Sequence, residues 1–275
     1  MDSEINQPND FEKERNKRLM AYREALSRYI RSKPSDTGKI SEMLLEIKGS
    51  NNLRDTAAKL DTNASTLSRA INETTGHISD DLIVAMAEEA DRREDLNFTF
   101  KDIVEANGMV PRVEARRTQI VAYEKNTINL IVAEMVTHGI TVQKLDDDAT
   151  CGSSWKRHFD AVIECNRNGK NLKIGVELSK LSYYEDGKTH PAGNPIMIRQ
   201  KMERIFAFAY CNTSCLDKIL FAVDSERGFS QIKSMFKEAQ IPDDISVLLV
   251  STDGTSIIDE YAIPKRDHSE YLMFR

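Results

Sequence analysis

The sequence predicts an α+β chain of two domains, an all-α N-terminal domain followed by an α/β domain with a mixed sheet. Three observations carry this. Residues 37–108 break into short apolar-periodic runs separated by helix punctuation. Asn107-Gly108 followed by Pro111 marks a clean end to that pattern. Beyond Pro111, runs rich in Val, Ile and Leu alternate with helical segments, the signature of crossover connections. The predicted segments are 1–36, a basic helix; 37–110, a helical domain; and 111–275, an α/β domain.

From Glu12 to Lys33 eight basic residues meet three acidic ones, and Leu19, Tyr22, Leu26 and Tyr29 fall at helical intervals. The spacing predicts an amphipathic helix with a basic outer side, ending at Lys33-Pro34. It is either a solvated helix docked on the next domain or an extra phosphate-contacting arm. Five short helices should follow, at Ser41–Ile47, Leu53–Leu60, Ala64–Ile71, Ser79–Ala90 and Thr99–Ala106, with Ser79 and Thr99 as caps.

In the second domain a long helix is expected over Ile120–His138. Strands are expected at Ile140–Leu145, Phe159–Cys165, Leu172–Leu181, Lys218–Asp224, Ile245–Ser251 and Ser256–Ala262. Asn168-Gly169 makes the second and third of these an antiparallel hairpin. Asn194-Pro195 reads as a helix start, and Phe229–Ala239 as a further helix. Asp146-Asp147-Asp148 reads as a solvated turn, and Ser182–Asn194 as a long loop able to cover a ligand or DNA.

Within the helical domain, NLRDTAAKLDTNASTLSRAIN (52–72) is the most informative stretch. Ala57 is small where two helices would approach, and Leu60, Leu67 and Ile71 can close a core between them. Asn63 is placed to cap the second helix. Asn63, Ser65, Thr66, Ser68, Arg69 and Asn72 then project outward, as short polar side chains that read base edges and one guanidinium for guanine or phosphate. This stretch resembles the Cro-like (XRE) helix-turn-helix family. Ala57-Ala58-Lys59-Leu60 is similar to its first-helix ending, and Ser65-Thr66-Leu67-Ser68-Arg69 to its recognition-helix core. The resemblance spans about Lys39 to Asn107 and implies a domain that binds double-stranded DNA, usually as a homodimer. Asp61 stands where that family usually has glycine, which an Asp tolerates in a left-handed turn. Leu53 replaces a glutamine that supplies a phosphate contact.

In the second domain Asp160 and Glu177 lie on the two strands of the Asn-Gly hairpin, where carboxylates can converge on one Mg²⁺. A nearby lysine would stabilise phosphate charge. The element order and these acids resemble the PD-(D/E)XK nuclease superfamily, the restriction-endonuclease-like fold, over roughly Arg117 to Ser251. That resemblance implies Asp160 and Glu177 as metal ligands and, with Lys180, as the catalytic set. Ser179 occupies the place where the family has lysine, and Lys180 is one residue late, on the opposite strand face unless a bulge intervenes. Lys201 on the next helix is a candidate substitute, and Glu134 a further acid.

With 38 Lys and Arg, 44 Asp and Glu, a net charge of −6 and 40% hydrophobic residues, coiled-coil, collagen and membrane classes are excluded. Residues 1–110 alone carry 16 basic against 21 acidic side chains, so a single domain should bind DNA modestly and gain from dimerisation. No 18-residue apolar stretch and no secretion signal are read, so a cytoplasmic protein is expected. The four cysteines, at 151, 165, 211 and 215, form no CxxC pair and are expected reduced. The primary expectation is a sequence-specific transcriptional regulator, needing no cofactor, with an α/β dimerisation or sensing domain. The alternative is a Mg²⁺-dependent endonuclease of restriction or defence type. A third class is a partner-binding component for which DNA is secondary.

Overall fold

The computed structural model describes residues 10–152, 156–185, 188–191, 195–211, 215–241 and 244–265. The chain is mixed α/β and divides into two compact units, Met1–Ala115 and Arg116–Arg275. Among the described residues no helix is long and apolar enough to cross a membrane.

Unit 1 contains α1 (Asp10–Leu26), β1 (Tyr29–Arg31), α2 (Thr37–Lys48), α3 (Leu53–Lys59), α4 (Ala64–Ile71), α5 (Asp80–Arg92), α6 (Phe100–Ala106) and β2 (Met109–Pro111). Side-chain caps start five of its helices: Asp36, Asn52, Asn63, Ser79 and Thr99 each accept a backbone N–H three residues on. One core joins Ile40, Leu44, Ile47, Leu60, Leu67, Leu82, Ile83, Met86 and Ile103. Asn107, fully buried, clasps Ile78 by accepting its N–H at 2.9 Å and donating to its carbonyl at 3.2 Å.

The N-terminal helix is shorter than expected, because Tyr29-Ile30-Arg31 leaves it to pair antiparallel with Met109–Pro111. α1 also lies against the helical core through Leu19, Tyr22 and Leu26. Its cations are answered by acids of α5: Arg15 and Arg18 reach Glu88 at 3.6 and 3.4 Å, and Arg23 reaches Asp81 at 2.9 Å. Three of the cations assigned to a phosphate-contacting arm are therefore engaged within the unit.

The long helix α7 (Arg112–Thr137) starts directly after Pro111, eight residues earlier than the periodicity indicated. Then follow β3 (Thr141–Cys151), β4 (Arg157–Arg167), β5 (Lys170–Ser179), β6 (Ser182–Glu185), β7 (Lys188–Pro191), α8 (Pro195–Cys211), β8 (Lys218–Val223), α9 (Glu226–Phe236), β9 (Asp244–Val250) and β10 (Ile257–Ala262). Six strands form one sheet in the order β10-β9-β8-β5-β4-β3. β3, β4 and β5 run antiparallel, β5, β8 and β9 parallel, and β10 antiparallel to β9. The β4–β5 turn has φ of 53° at Asn168 and 82° at Gly169, the paired left-handed residues of a type I′ turn.

Strand alternation sends successive side chains to two cores. Leu220 and Ala222 of β8 join Tyr123, Ile131 and Met135 of α7, while Ile219, Phe221 and Val223 join Met202, Ile205 and Phe208 of α8 and Ile232 of α9. Every residue of β8 is buried, as a central parallel strand requires.

Two further expectations are corrected. Asp146-Asp147-Asp148 is no turn: β3 runs through it, with Asp146 opposite Val162 and Asp147 opposite Ala161, because an edge strand leaves its carboxylates in water. Ser182–Asn194 is no continuous loop either: Ser182–Glu185 and Lys188–Pro191 pair antiparallel as β6 and β7. The Asn194 cap lies outside the described residues.

Candidate functional site

In unit 1, α3 and α4 are joined through Leu60, Asp61, Thr62 and Asn63. Asp61 has φ of 47°, the left-handed conformation that glycine would otherwise supply. Ala57, Leu60 and Leu67 are buried against each other's helices, which leaves the opposite side of α4 to solvent. Asn63, Ser65, Arg69 and Asn72 are exposed, and Thr66 and Ser68 half-buried. Much of Asn63 is spent locally: its carbonyl oxygen accepts the Thr66 N–H and the Ser65 hydroxyl, both at 2.7 Å. Ser68 accepts from Asn72 at 3.2 Å, and the Arg69 guanidinium lies 3.5 Å from the Thr66 hydroxyl. The face is polar, carries one charge, and holds its side chains in an ordered row.

In unit 2 the two acids of the hairpin come together where β4 stops pairing with β5. The last register pair is Ala161 opposite Val176. One residue beyond it, Asp160 Oδ2 accepts the Leu178 N–H at 2.6 Å, so a side chain takes over a bond that the strand would have made. Glu177 lies on the strand face of Gly175. A Cβ at Gly175 would come within 2.7 Å of Leu216 and 3.1 Å of Phe159, so this face is closely packed up to the acid.

Both oxygens of Glu177 face cations: Oε1 lies 3.2 Å from Lys201 Nζ of α8, and Oε2 lies 3.1 Å from the Arg157 guanidinium at the start of β4. Lys201 also donates to the Leu178 carbonyl at 2.7 Å. Burial raises the Asp160 carboxyl above its ordinary range; the Leu178 N–H opposes this, Glu177 adds to it, and Lys201 lowers it. Burial likewise raises Glu124 of α7, with the Asp160 charge as the next cause. Glu124, Asp160, Glu177, Lys201 and Arg157 thus form one electrostatic cluster.

Lys180 is not part of it. The alternation of β5 turns it away, and its ammonium meets Asp224 at 3.2 Å and the Thr252 carbonyl at 2.6 Å. Asp224 also accepts the Leu181 N–H and the Ser182 hydroxyl, each at 2.5 Å. Lys180 is therefore a buried structural partner, and the lysine beside the acids is Lys201. Glu134 pairs with His138 at 3.8 Å. The acid of α7 that feels Asp160 is Glu124, almost three turns earlier. His158 pairs with Asp148 at 3.2 Å on the exposed side of β3.

Among the described residues no three His, Cys, Asp or Glu converge closely enough to hold a metal ion by themselves. The cluster does offer the Asp160 and Glu177 carboxylates with the Leu178 carbonyl beside them, all hard oxygen donors without sulfur or imidazole. That set fits Mg²⁺, which takes one or two carboxylates and completes its shell with water. Comparison with protein-family models, with curated proteins and with solved structures gave no match.

Proposed function

We propose that this chain is a Mg²⁺-dependent DNA endonuclease that selects its target with α4 and cleaves with the acid cluster of unit 2. The observation that carries the reading is the place of Lys201, 3.2 Å from Glu177, which supplies from α8 the cation absent two residues after Glu177. Asp160 and Glu177 would hold Mg²⁺, which supplies Lewis-acid polarisation of the phosphate and a lowered pKa for a bound water. Lys201 lies where it can donate to a phosphate oxygen as negative charge builds there. Arg157 fixes Glu177 from the other side, and Asp160 is oriented by the Leu178 N–H. This assignment accords with the resemblance to the PD-(D/E)XK superfamily, in which lysines migrate to other elements. On the same reading α3 and α4 form a Cro-like helix-turn-helix, with Asn63, Ser65, Thr66, Ser68, Arg69 and Asn72 at double-stranded DNA. Two copies on adjacent half-sites would recover the affinity that a single-charge helix lacks.

A second reading, a transcriptional regulator with a non-cleaving unit 2, is favoured by the ordered polar row on α4. One experiment separates the two. The protein is incubated with a random duplex pool and Mg²⁺ or Mn²⁺, beside its Glu177→Ala variant, and resolved on a denaturing gel. Cleavage abolished by the substitution supports the nuclease. Retarded but intact DNA with both proteins supports the regulator.

A further inference from the structure

Lys180 and the β6–β7 hairpin, left unused by the acid cluster, meet at a second feature of unit 2. A cavity of about 550 Å³ opens at the carboxyl ends of the parallel strands, lined by Gln119, Tyr123 and Asn126 of α7, Lys180 after β5, Tyr184 of β6 and Asp253 after β9. Its volume is that of a small-molecule site, and strand carboxyl ends are where open α/β sheets bind ligands.

Its walls are fixed before anything enters. The Gln119 side-chain amide donates to the Tyr184 carbonyl and accepts its N–H, both at 2.8 Å, and so pins the hairpin to α7. Asn126 donates to the Asp253 carbonyl at 2.9 Å, which pins the β9–β10 turn to the same helix. Lys180 is held by Asp224 and Thr252, with its ammonium 5.0 Å from the centre of the Tyr123 ring. The Asp253 carboxyl sits below its ordinary range because the Ser251 and Thr255 hydroxyls bond to it.

The lining thus offers one accessible ring, Tyr184 at 59% exposed, with the Asp253 carboxylate and the Gln119 and Asn126 amides around it, while Tyr123, 1% exposed, and the Lys180 ammonium, paired with Asp224, lie buried behind them. A phosphate alone suits it poorly, since Asp224 already answers Lys180 and Asp253 would repel a second anion. An aliphatic chain would leave three polar groups facing apolar surface. A flat ring with both donor and acceptor edges matches the set, by stacking on Tyr184 and pairing at its rim with Asn126 and Asp253. The Asp160 charge acts on the Tyr123 hydroxyl behind the cavity, so the cavity lies near the acid cluster.

We propose that this cavity receives a single nucleobase, taken out of the stack of the DNA that unit 2 acts on. This rests on the nuclease reading for the source of the base, and a free nucleoside would offer the same ring chemistry.

The test uses the full chain in Ca²⁺, and a duplex recovered by selection with 2-aminopurine or pyrrolocytosine placed singly at each A or C. Wild type and Glu177→Ala should both raise the fluorescence several-fold at one position, and Tyr184→Ala and Asn126→Ala, checked for folding by circular dichroism, should lose that rise. Adenosine and cytidine binding by calorimetry forms the second arm. Nucleoside binding that Tyr184→Ala abolishes, without a fluorescence rise, keeps the base site and assigns it to a free nucleoside. The absence of both signals overturns the proposal. Fluorescence without cleavage in Mg²⁺ refutes the nuclease and leaves the cavity assignment standing, whereas cleavage with neither signal does the reverse.

Discussion

Lys180 and Lys201 make ion pairs of the same length, 3.2 Å, with Asp224 and Glu177, yet their removal should have opposite consequences. At an effective dielectric near 20 each pair has a Coulomb attraction of about 5 kcal/mol. Solvent decides how much of that reaches stability. The Lys180 and Asp224 side chains are 5% and 0% exposed, so Lys180→Met strands a buried carboxylate and should cost about 3 to 5 kcal/mol. For unit 2 this is a fall in Tm of roughly 6 to 20 °C. Lys201 is 33% exposed, and Arg157 still neutralises Glu177 after Lys201→Met, so the stability loss should stay under about 1 kcal/mol. Cleavage should instead drop by roughly 10²- to 10³-fold, the usual effect of losing one electrostatic donor at a reacting group. Thermal unfolding of both variants, with single-turnover cleavage well below either Tm, reads the two effects separately. A Lys201→Met protein cleaving within about tenfold of wild type would refute the role given to Lys201. An unchanged Tm for Lys180→Met would refute the division between the two lysines.

Asp160 is held above its ordinary pKa in the folded protein, so its contribution to stability is present at low pH and lost as pH rises through the raised value. In EDTA, Asp160→Asn should therefore raise Tm at pH 8 and give no advantage at pH 3; an equal difference at both would contradict the burial argument. Arg69→Ala should weaken binding to a selected duplex by about 1 to 3 kcal/mol without shifting Tm, and unchanged affinity in a filter or fluorescence titration would remove Arg69 from the interface. Gly108 has φ of 72°, and a Cβ there would sit 2.2 Å from the Lys33 carbonyl oxygen, against backbone that cannot yield. Gly108→Ala should cost unit 1 more than about 2 kcal/mol in urea denaturation, and an unmoved midpoint would show the β1–β2 closure to be dispensable.

Local chemistry in the sequence specified most elements. Caps at Ser79 and Thr99, the Asn-Gly turn and the short central strands each depend on neighbours within a few residues, and each lies where expected. Asp61 was legible for the same reason, since its left-handed turn needs only its own backbone. What was missed depends on distant partners. Tyr29 fits the helical period, but Met109–Pro111 draws it into a strand. The β6–β7 pair is the exception, since Asp186-Gly187 after Tyr183 and Tyr184 is a local hairpin signal as strong as Asn168-Gly169. At the acid cluster the expected catalytic set included Lys180, but strand alternation turns it to Asp224, and the lysine beside Glu177 is the substitute, Lys201. Choosing Glu124 over Glu134 required knowing which turn of α7 lies over Asp160, information that no helical period contains.

The early end of β4–β5 pairing has a consequence for observation. The Leu178 amide hydrogen is held by a carboxylate that can rotate rather than by a neighbouring strand. Its exchange with solvent deuterium therefore reports on Asp160, just as the Lys173 amide of the same strand, held by Asp217 at 2.8 Å, reports on that acid. If Asp160 turns toward a cation or a substrate, that one hydrogen is released while the rest of β5 stays protected, giving the protein an internal indicator of occupancy that needs no label and no turnover.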